Sequence, residues 1–509
     1  MFSGYLTIAV FLPIVTALLL MVMPRRDQWI RWTAIGATVV ELALTITIFI
    51  RYEIDKGGVQ FVDLISDWIP IDGFEAQYLL GVDGLSAPLV LLTGILGAAA
   101  AFASWRVKHR VREYFIWLLI LQSSVMGVFV SLDLLLFFIF WEIELIPMFM
   151  LISGWGTGRP RYSAMKFVIF TLAGSAFMFV GILALFMSAE IGTFAMVSIP
   201  EEGIVGISEK MALATGLIAP TGMIFAFFLI AFLVKLPIWP VHSWLPDAHT
   251  DAPTAVSVML AGVLLKMGGY GLIRISTGFF MESPDFQIAD VAWLLAAGAA
   301  ISIVYGAVLT IRQTDLKRLI AYSSVSHMGF VLLGVAAVAA TGSQTASGGL
   351  NGAALQMFTH GTITGLLFLL VGMTYERAHT RHIPDMGGLA PKMPLIAVAF
   401  LVAGLASLGL PGLSGFAAEI TIFLGTWDIW PIATGVSAFG VVLAAAYIMW
   451  MIQRAFFGPR PDRFNDVEDA TMVDMIPVVG LAIPIVIVGF WPSVITDTFA
   501  VGIKATLGL

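Results

Sequence analysis

Apolar segments of about twenty residues recur along the whole chain and are separated by short polar loops. A helix of this length, rising about 1.5 Å per residue, crosses the roughly 30 Å hydrocarbon core of a bilayer. Charged residues make up only 12% of the 509 residues, whereas soluble proteins carry about 25%. The sequence therefore predicts an all-α membrane protein. A soluble enzyme is excluded, because too few polar residues are present to cover its surface.

Segment lengths and positive charges together predict about 14 transmembrane helices. Nineteen of the 26 Lys and Arg residues fall in loops assigned to the cytoplasm and five on the opposite side, in keeping with the positive-inside rule. Both termini are then outside, and Lys235 and Lys266 are the two positive residues counted on neither side, because they fall deep within predicted spans. The predicted spans lie near residues 4–23, 29–50, 81–104, 113–131, 133–153, 162–189, 217–249, 253–275, 288–311, 316–339, 351–375, 394–428, 432–456 and 474–495.

The first apolar segment is expected to be a membrane span and not a signal peptide. No positive residue precedes it, and no small-x-small cleavage site follows it. The sequence contains no cysteine, which excludes disulfides and thiolate-bound metal or iron–sulfur clusters in this chain. It also lacks a basic face for nucleic acid. We therefore expect lipids as surroundings and no nucleic-acid partner.

The seventh and twelfth predicted spans are too long for one straight crossing, and each contains helix-breaking residues midway. These are Pro237 and Pro240 in the seventh span and Pro411 and Gly412 in the twelfth. Broken backbone at membrane depth is tolerated only where it is buried in protein or lines a wet cavity. An ordinary proline kink is the simpler interpretation of either break alone.

The spacing of the two breaks favours a repeat. If spans 4–8 and 9–13 form two five-helix units, each break lies in the fourth helix of its unit. The second unit is then inverted, because five is odd. Matched breaks in inverted repeats indicate a transport site. The expected parts are an N-terminal three-helix segment (1–112), a first repeat (113–275), a second repeat (288–457) and a C-terminal helix (474–509).

Five ionisable residues fall roughly 14 to 22 Å deep in five different predicted helices, counting about 1.5 Å per residue from the span ends. A charge at mid-bilayer costs about 2.5–3.5 kcal/mol on insertion scales. An ammonium group is disfavoured in such surroundings and a nearby carboxylate restores it, while histidine exchanges protons near neutral pH. The row predicts a proton relay, and the alternative is a set of structural ion pairs. Its members are Glu142, Lys235, Lys266, His327 and Glu419.

Four further polar residues are secondary candidates. His360 could extend the relay or satisfy a neighbouring carbonyl group. His242 and His249 flank the first break and could pass protons inward or cap the half-helix. Glu144 lies two positions after Glu142, the predicted partner of Lys235. Two positions are about 200° around a helix, so the two carboxylates cannot both face one lysine. We therefore expect only a secondary contact from Glu144.

A long stretch of the sequence carries a specific resemblance. It reads Val-Lys-Leu-Pro-Ile-Trp-Pro-Val-His-Ser-Trp-Leu-Pro-Asp-Ala-His over 234–249 and Leu-Leu-Lys-Met-Gly-Gly-Tyr-Gly over 264–271. This stretch resembles the antiporter-like subunits of respiratory complex I. Matches at 141–147, 315–329 and 356–361 extend the resemblance over essentially the whole chain.

The resemblance implies a proton path through four of the five residues of the row. By motif, the family's functional residues correspond to Glu142, Lys235, Lys266 and Glu419. The family pattern has a single acid in the motif of the fifth span, so Glu144 inherits no role from it.

The twelfth span distinguishes between members of this family. Its Leu-Pro-Gly-Leu-Ser-Gly-Phe-Ala-Ala-Glu run over 410–419 has glutamate where N-type chains and sodium/proton antiporter chains typically have lysine. This is similar to the M-type chain (chain 4). The L-type chain carries a long lateral helix after its core, which we do not expect here.

The resemblance further implies a proton-translocating membrane subunit of NADH:quinone oxidoreductase in a bacterial inner membrane, with both termini in the periplasm. Protons would enter from the cytoplasm near the first broken helix, load Lys235 beside Glu142, and pass along the row to Glu419. FMN, iron–sulfur clusters and quinone would belong to other subunits, and neighbouring L-type and N-type chains would be the main partners. The alternatives are a chain of a multisubunit sodium/proton antiporter or a membrane-bound hydrogenase, and a structural membrane spacer.

Overall fold

The computed structural model describes residues 3–66, 68–71, 73–342 and 344–508, and helices make up most of them. The helices are α1 (Tyr5–Val22), α2 (Asp27–Arg51), α3 (Ala87–Ala103), α4 (Val111–Val130), α5 (Leu134–Ile143), α6 (Leu145–Trp155), α7 (Pro160–Met187), α8 (Ile207–Met211), α9 (Thr221–Lys235), α10 (Trp244–Asp251), α11 (Thr254–Phe280), α12 (Ala289–Ile311), α13 (Leu316–Thr341), α14 (Gln344–Ala378), α15 (Pro394–Ser407), α16 (Ser414–Thr426), α17 (Pro431–Phe456), α18 (Met472–Phe490) and α19 (Ser493–Thr506). Short 3-10 segments cover Ser104–Arg106, Pro200–Glu202, Ile383–Asp385 and Asp462–Phe464. An antiparallel hairpin of β1 (Gln60–Ile65) and β2 (Tyr78–Val82) follows α2.

Within the described residues, twelve helices are long and apolar enough to cross a membrane, the α5–α6 pair counting as one. Two more crossings are interrupted: α9 is followed by α10, and α15 by α16. Together they make the predicted 14. The prediction of a many-pass helical membrane protein with two broken helices is therefore confirmed, whereas the boundaries of the repeats stay a prediction.

The first break keeps its backbone groups bonded through neighbouring polar atoms. The N–H of Trp239 donates to Oγ of Ser302 on α12 at 2.8 Å. The indole N–H of Trp244 donates back across the break to the carbonyl of Val234 at 3.0 Å. Because the prolines end the regular helix, these contacts replace helical hydrogen bonds that would otherwise be lost inside the membrane.

The second break depends on glycine. Gly409 and Gly412 have φ angles of +78° and +91°, in the left-handed region that other residues rarely adopt. The carbonyl of Gly412 also lies against α18, where a Cβ on Gly489 would be 2.3 Å from it. The chain can therefore turn sharply here and still pack closely on its neighbour.

Helices α11 and α14 form the buried centre of the bundle, because their apolar stretches are covered on all sides. Helix α14 packs against α3, α11, α13, α16 and α18. By contrast, less than half of the apolar stretch is buried in α1, α7, α17 and α18, which lie at the periphery. Lys266 on α11 and His360 on α14 are therefore far from the lipid, as is His327 on the neighbouring α13, whose apolar stretch is 89% buried.

Three local irregularities depart from the straight spans that the sequence predicted. The fifth crossing has a turn at Glu144, between α5 and α6. Helix α11 contains two π-helical segments, Leu260–Leu264 and Leu272–Thr277, on either side of Lys266; such segments often mark functional positions. The C-terminal helix predicted over 474–509 is divided into α18 and α19.

Arg274 lies well inside α11, although the sequence analysis counted it among the five outer charges because it falls at the predicted end of the eighth span (253–275). It is 2% exposed, its Nη2 is 2.6 Å from Oδ2 of Asp83, and its Nε donates to the hydroxyl of Tyr270 at 3.2 Å. The assignment was wrong because α11 continues to Phe280, beyond the predicted end of the span. The ion pair fastens α11 to the segment between β2 and α3.

Replacing Asp83 by alanine should destabilise the fold strongly. Removing one partner of a buried ion pair costs about 3–5 kcal/mol, because the other charge stays buried alone. The readout is the temperature at which the subunit in detergent loses its helical circular dichroism. Glu201→Ala is the control, since the Lys56–Glu201 pair is exposed and should contribute about 1 kcal/mol or less. Equal melting temperatures for the two variants would contradict the prediction.

Candidate functional site: a buried row of ionisable side chains

Lys235 and Glu144 form an ion pair near the first break. Lys235 is the last residue of α9, and its Nζ donates to Oε1 of Glu144 at the turn between α5 and α6. Both side chains are buried, at 1% and 0% exposure. The ammonium also lies 5.1 Å from the ring centroid of Trp141 and 5.7 Å from that of Phe167. The carboxylate and the aromatic faces together compensate the buried charge.

Glu142 is not the direct partner of Lys235, and in this respect the expectation from the sequence is wrong. That expectation placed Glu142 and not Glu144 opposite the lysine, whereas Glu144, at the junction of α5 and α6, is the residue that accepts from the ammonium. Glu142 is only partly buried and still interacts electrostatically with Lys235. Its Oε1 has no hydrogen-bond partner among the described residues. The site therefore holds two carboxyl groups beside one ammonium.

Lys266 lies in the middle of α11 and has a different kind of compensation. Its Nζ donates to the carbonyl of Ala261, in the preceding π-helical segment, and lies 2.8 Å from Nδ1 of His360 on α14. Lys266 is 0% exposed. In the described part of the chain, no carboxylate forms an ion pair with it. Dipoles alone therefore face this ammonium.

His360, which the sequence marked only as a secondary candidate, lies between Lys266 and His327. The ring centroids of His360 and His327 are 5.5 Å apart. Nε2 of His327 is 3.1 Å from the carbonyl of Ser407, the last residue before the second break. The structure thus brings together the lysine, both histidines and the broken twelfth crossing.

The hydrogen bonds assign a tautomer to each neutral ring. A carbonyl only accepts, so Nε2 of His327 carries the proton and its Nδ1 is bare. An ammonium group only donates, so whenever Lys266 is protonated Nδ1 of His360 accepts and its Nε2 carries the proton. Nε2 of His360 and Nδ1 of His327 are buried and have no partner among the described residues. They form a donor and an acceptor on adjacent rings, which a small rotation or one water molecule could join.

A small cavity connects the histidines to Glu419. His327, His360, Gln356 and Glu419 line it together with residues at the second break. The carboxyl of Glu419 packs against Gly409, where a Cβ would lie 2.4 Å from Oε2. The glycine-dependent break therefore makes room for the carboxyl group that ends the row.

His242 and His249 lie beside the first break, as expected. His242 is within the break, and His249 follows on α10 with its ring stacked on Phe368 at 4.4 Å. Both ring nitrogens of His249 lack partners among the described residues, and the ring interacts electrostatically with Lys317 and Lys266. Sequence analysis missed Lys317 by counting its charge with the cytoplasmic loops, but it is 5% exposed at the start of α13.

Glu41 on α2 forms a separate buried site. Nε2 of Gln122 on α4 donates to its Oε2 at 2.5 Å, and both side chains are buried. The Oε1 atoms of both residues lack partners among the described residues. A proton on Glu41 would let these two oxygens bond to each other. The pair joins the N-terminal helices to α4 and lies apart from the row.

Comparisons with known proteins show the family and the fold of this chain. A family model described as "NADH:quinone oxidoreductase/Mrp antiporter, TM" matches residues 131–444, which include every member of the row. A NAD(P)H-quinone oxidoreductase chain 4 of Thermosynechococcus vestitus is 41% identical over 98% of this chain and 90% of its own length. The corresponding chain 4 of Gloeobacter violaceus is 38% identical over 97% of this chain and 91% of its own length.

Solved structures show the same fold. A chain of respiratory complex I from Thermus thermophilus superposes with a TM-score of 0.84 at 28% identity, covering 99% of this chain and 100% of that one. A chain of an archaeal membrane-bound sulfane sulfur reductase superposes with a TM-score of 0.82 at 25% identity, covering 95% of this chain and 76% of that one. A chain of the Mrp complex from Dietzia gives 0.81 over 99% of both chains, and at 20% identity it shows the fold alone. On the family match and the close relatives, the chain belongs to the NADH:quinone oxidoreductase/Mrp antiporter transmembrane family.

Proposed function

We propose that this chain is the M-type (chain 4) proton-translocating membrane subunit of an NADH:quinone oxidoreductase. The observation that carries the proposal is the direct contact of Lys266 with His360, in a row that ends at Glu419. The chain 4 relatives support the identity of the subunit. The match to a Thermus thermophilus complex I chain supports assembly into a larger complex.

The proposed path runs from the first break to the second. Protons enter on the cytoplasmic side near His242 and His249, reach Lys235, and pass through Lys266 to His360. From there they move through His327 to Glu419 and leave on the far side. Each step uses a group that can hold and release a proton, and the ring polarity of the two histidines allows a hop in this direction.

Close helix packing supports the step between the two lysines. A Cβ on Gly268 would lie 2.7 Å from the backbone N of Leu236 and 2.8 Å from the carbonyl of Phe232. Helix α11 can therefore approach the end of α9 closely, just where α9 presents Lys235. Ordered water would complete the remaining gaps in the path.

The energy for transport must come from elsewhere in the complex. Moving one charge against 100 mV requires about 2.3 kcal/mol. We propose that NADH oxidation and quinone reduction in other subunits supply it, with FMN and the iron–sulfur clusters held there and none in this chain.

Neighbouring subunits are expected to cover the two breaks. Trp239 and Leu410 are 40% and 39% exposed, and the adjacent Pro240 and Pro411 are exposed as well. Irregular backbone does not face lipid in stable membrane proteins. We propose that L-type and N-type chains pack over these surfaces. The charge distribution and the bacterial relatives support an inner-membrane location with both termini in the periplasm.

Replacing Lys235 by methionine or Glu419 by glutamine should abolish proton transfer through this subunit. Each change keeps the shape of the side chain but removes a proton-carrying group, and such groups typically accelerate transfer about 100-fold or more. The measurement is protons translocated per NADH oxidised in proteoliposomes containing the whole complex. Lys504→Met is the control, because Lys504 is exposed on α19. An assembled variant with the full proton yield would overturn the relay and favour a structural spacer.

His360→Gln should lower the proton yield as much as Lys266→Met does. Glutamine can hydrogen-bond in place of the ring but cannot pass a proton through it. His382→Gln is the matched control, since that ring is half exposed and paired only with Asp385 at 3.2 Å. Proton yield per NADH is again the readout. If His360→Gln and His382→Gln pumped equally well, the path would bypass His360.

Copurification distinguishes the proposal from its relatives in the family. We expect the tagged chain to bring down a flavin-containing, iron–sulfur-containing arm that oxidises NADH. Hydrogenase subunits in that arm would assign the chain to a membrane-bound hydrogenase. A complex without redox subunits, whose proton transport required sodium, would assign it to an antiporter.

A further inference from the structure

The Lys235 site contains one carboxyl group more than an ion pair needs. Glu144 binds the ammonium directly, and Glu142 interacts electrostatically with both Lys235 and Glu144. The surrounding contacts of the ammonium are the rings of Trp141 and Phe167, which carry no charge. One cation is therefore set against two potential anions.

Counting charges restricts the protonation of this cluster. If all three groups were ionised, the site would carry a net negative charge inside the membrane, which is costly. With one carboxyl protonated, the net charge is zero and the ion pair is kept. A buried cluster of this composition therefore holds one proton on a carboxyl group in addition to the proton on the lysine.

The surroundings of the two carboxyl groups differ in a way that assigns this proton. Glu144 is fully buried and in contact with the ammonium, so its charge is compensated. Glu142 lies on the outer face of the fifth crossing, since Ile146, one turn later, is 57% exposed. Its Oε1 has no hydrogen-bond partner among the described residues. Glu142 is thus the less compensated and the less buried of the two carboxyl groups.

We propose that Glu142 is the proton-loading group of Lys235, and that Glu144 is the fixed counter-ion that stays ionised throughout. This inference rests on the proposed relay function and adds a division of labour between the two carboxyl groups. The resemblance implies a single acid at this position, with Glu142 as the lysine partner, so the role of Glu144 comes from the geometry.

The protons that the cluster takes up and releases balance over one cycle. In the resting cluster Glu142 is a neutral acid, Glu144 a carboxylate and Lys235 an ammonium. After Lys266 has passed its own proton to His360 and become an amine, Lys235 releases its proton to Lys266 and becomes an amine in turn. The acid proton of Glu142 moves to that amine and restores the ammonium beside Glu144. Glu142, now a carboxylate, takes up the next proton that arrives from the cytoplasmic side, so one proton has entered and one has left.

Glu142→Gln and Glu144→Gln form a matched pair for the test, since they make the same change two residues apart. The first readout is the infrared carbonyl band of a protonated carboxylic acid in the whole complex, identified by its shift in D₂O. Subtracting each variant from the wild type isolates one group. We expect Glu142→Gln to remove an acid carbonyl band from the resting complex, and Glu144→Gln to remove only carboxylate bands.

The second readout is proton yield per NADH oxidised. Glu142→Gln should keep the resting ion pair and slow reloading of Lys235 by about 100-fold. An acid band that disappears in Glu144→Gln and persists in Glu142→Gln would overturn the assignment. Should Glu144→Gln fail to assemble, the Glu142→Gln spectrum decides alone: persistence of the band overturns the proposal.

Failure of this inference can be told from failure of the relay itself. If Lys235→Met pumps fully, the proposed function is wrong and the roles of both carboxyl groups lapse with it. If Lys235→Met does not pump but Glu142→Gln pumps like the wild type, the relay stands and only the loading role of Glu142 is lost.

Discussion

The structure depends on how it compensates positive charge inside the membrane, and its three central cations are treated in three ways. Arg274 is paired with a carboxylate and a tyrosine hydroxyl. Lys235 has a carboxylate and two aromatic faces. Lys266 has only a carbonyl oxygen and a neutral ring nitrogen. Arginine does not release its proton in proteins, so Arg274 forms a permanent structural ion pair. The lysines, by contrast, have the chemistry to exchange protons.

The groups that compensate these charges come from places where the helices are irregular. The turn at Glu144 delivers a carboxylate to Lys235, and the π-helical segment before Lys266 delivers a carbonyl. The carbonyl that binds His327 belongs to Ser407, at the end of a broken helix. A regular helix uses its own carbonyl groups and directs its side chains at fixed intervals. Irregular backbone is therefore the means by which an apolar bundle offers polar groups at mid-membrane.

This dependence explains what could be predicted from the sequence. Apolar length, positive loops and the prolines gave the crossings and both breaks, because each depends on local composition. The partner of Lys235 was assigned wrongly, because the helix is interrupted at Glu144, where Pro147 removes the hydrogen bond to the carbonyl of Ile143, and the sequence analysis treated this crossing as a regular helix. Arg274 was counted with the outer loop charges because hydropathy does not show where α11 ends. No composition rule indicates the π-helical segments of α11.

The position of Lys317 in a helix was predictable from a local capping signal. Asp315 caps α13 by accepting the N–H of Arg318 at 3.1 Å, and aspartate before an apolar run is a recognised helix start. This cap places Lys317 in the first turn of the helix, where the predicted span over 316–339 also begins, although its charge was counted with the cytoplasmic loops. His360 could not be ranked in the same way, because its role depends on the distance between α11 and α14, which no local pattern encodes.

The polarity of the two histidines sets a limit on how the row can work. If a proton moves from Lys266 to Nδ1 of His360, Nε2 of that ring passes its own proton to Nδ1 of His327, whose Nε2 proton continues towards Glu419. Both rings then have the opposite tautomer, and the carbonyl of Ser407 has lost its donor. A second proton cannot follow until the rings rotate or exchange their protons through water. The row would therefore carry one proton per conformational cycle, and the orphaned carbonyl at the second break would favour the return of His327 to its starting tautomer.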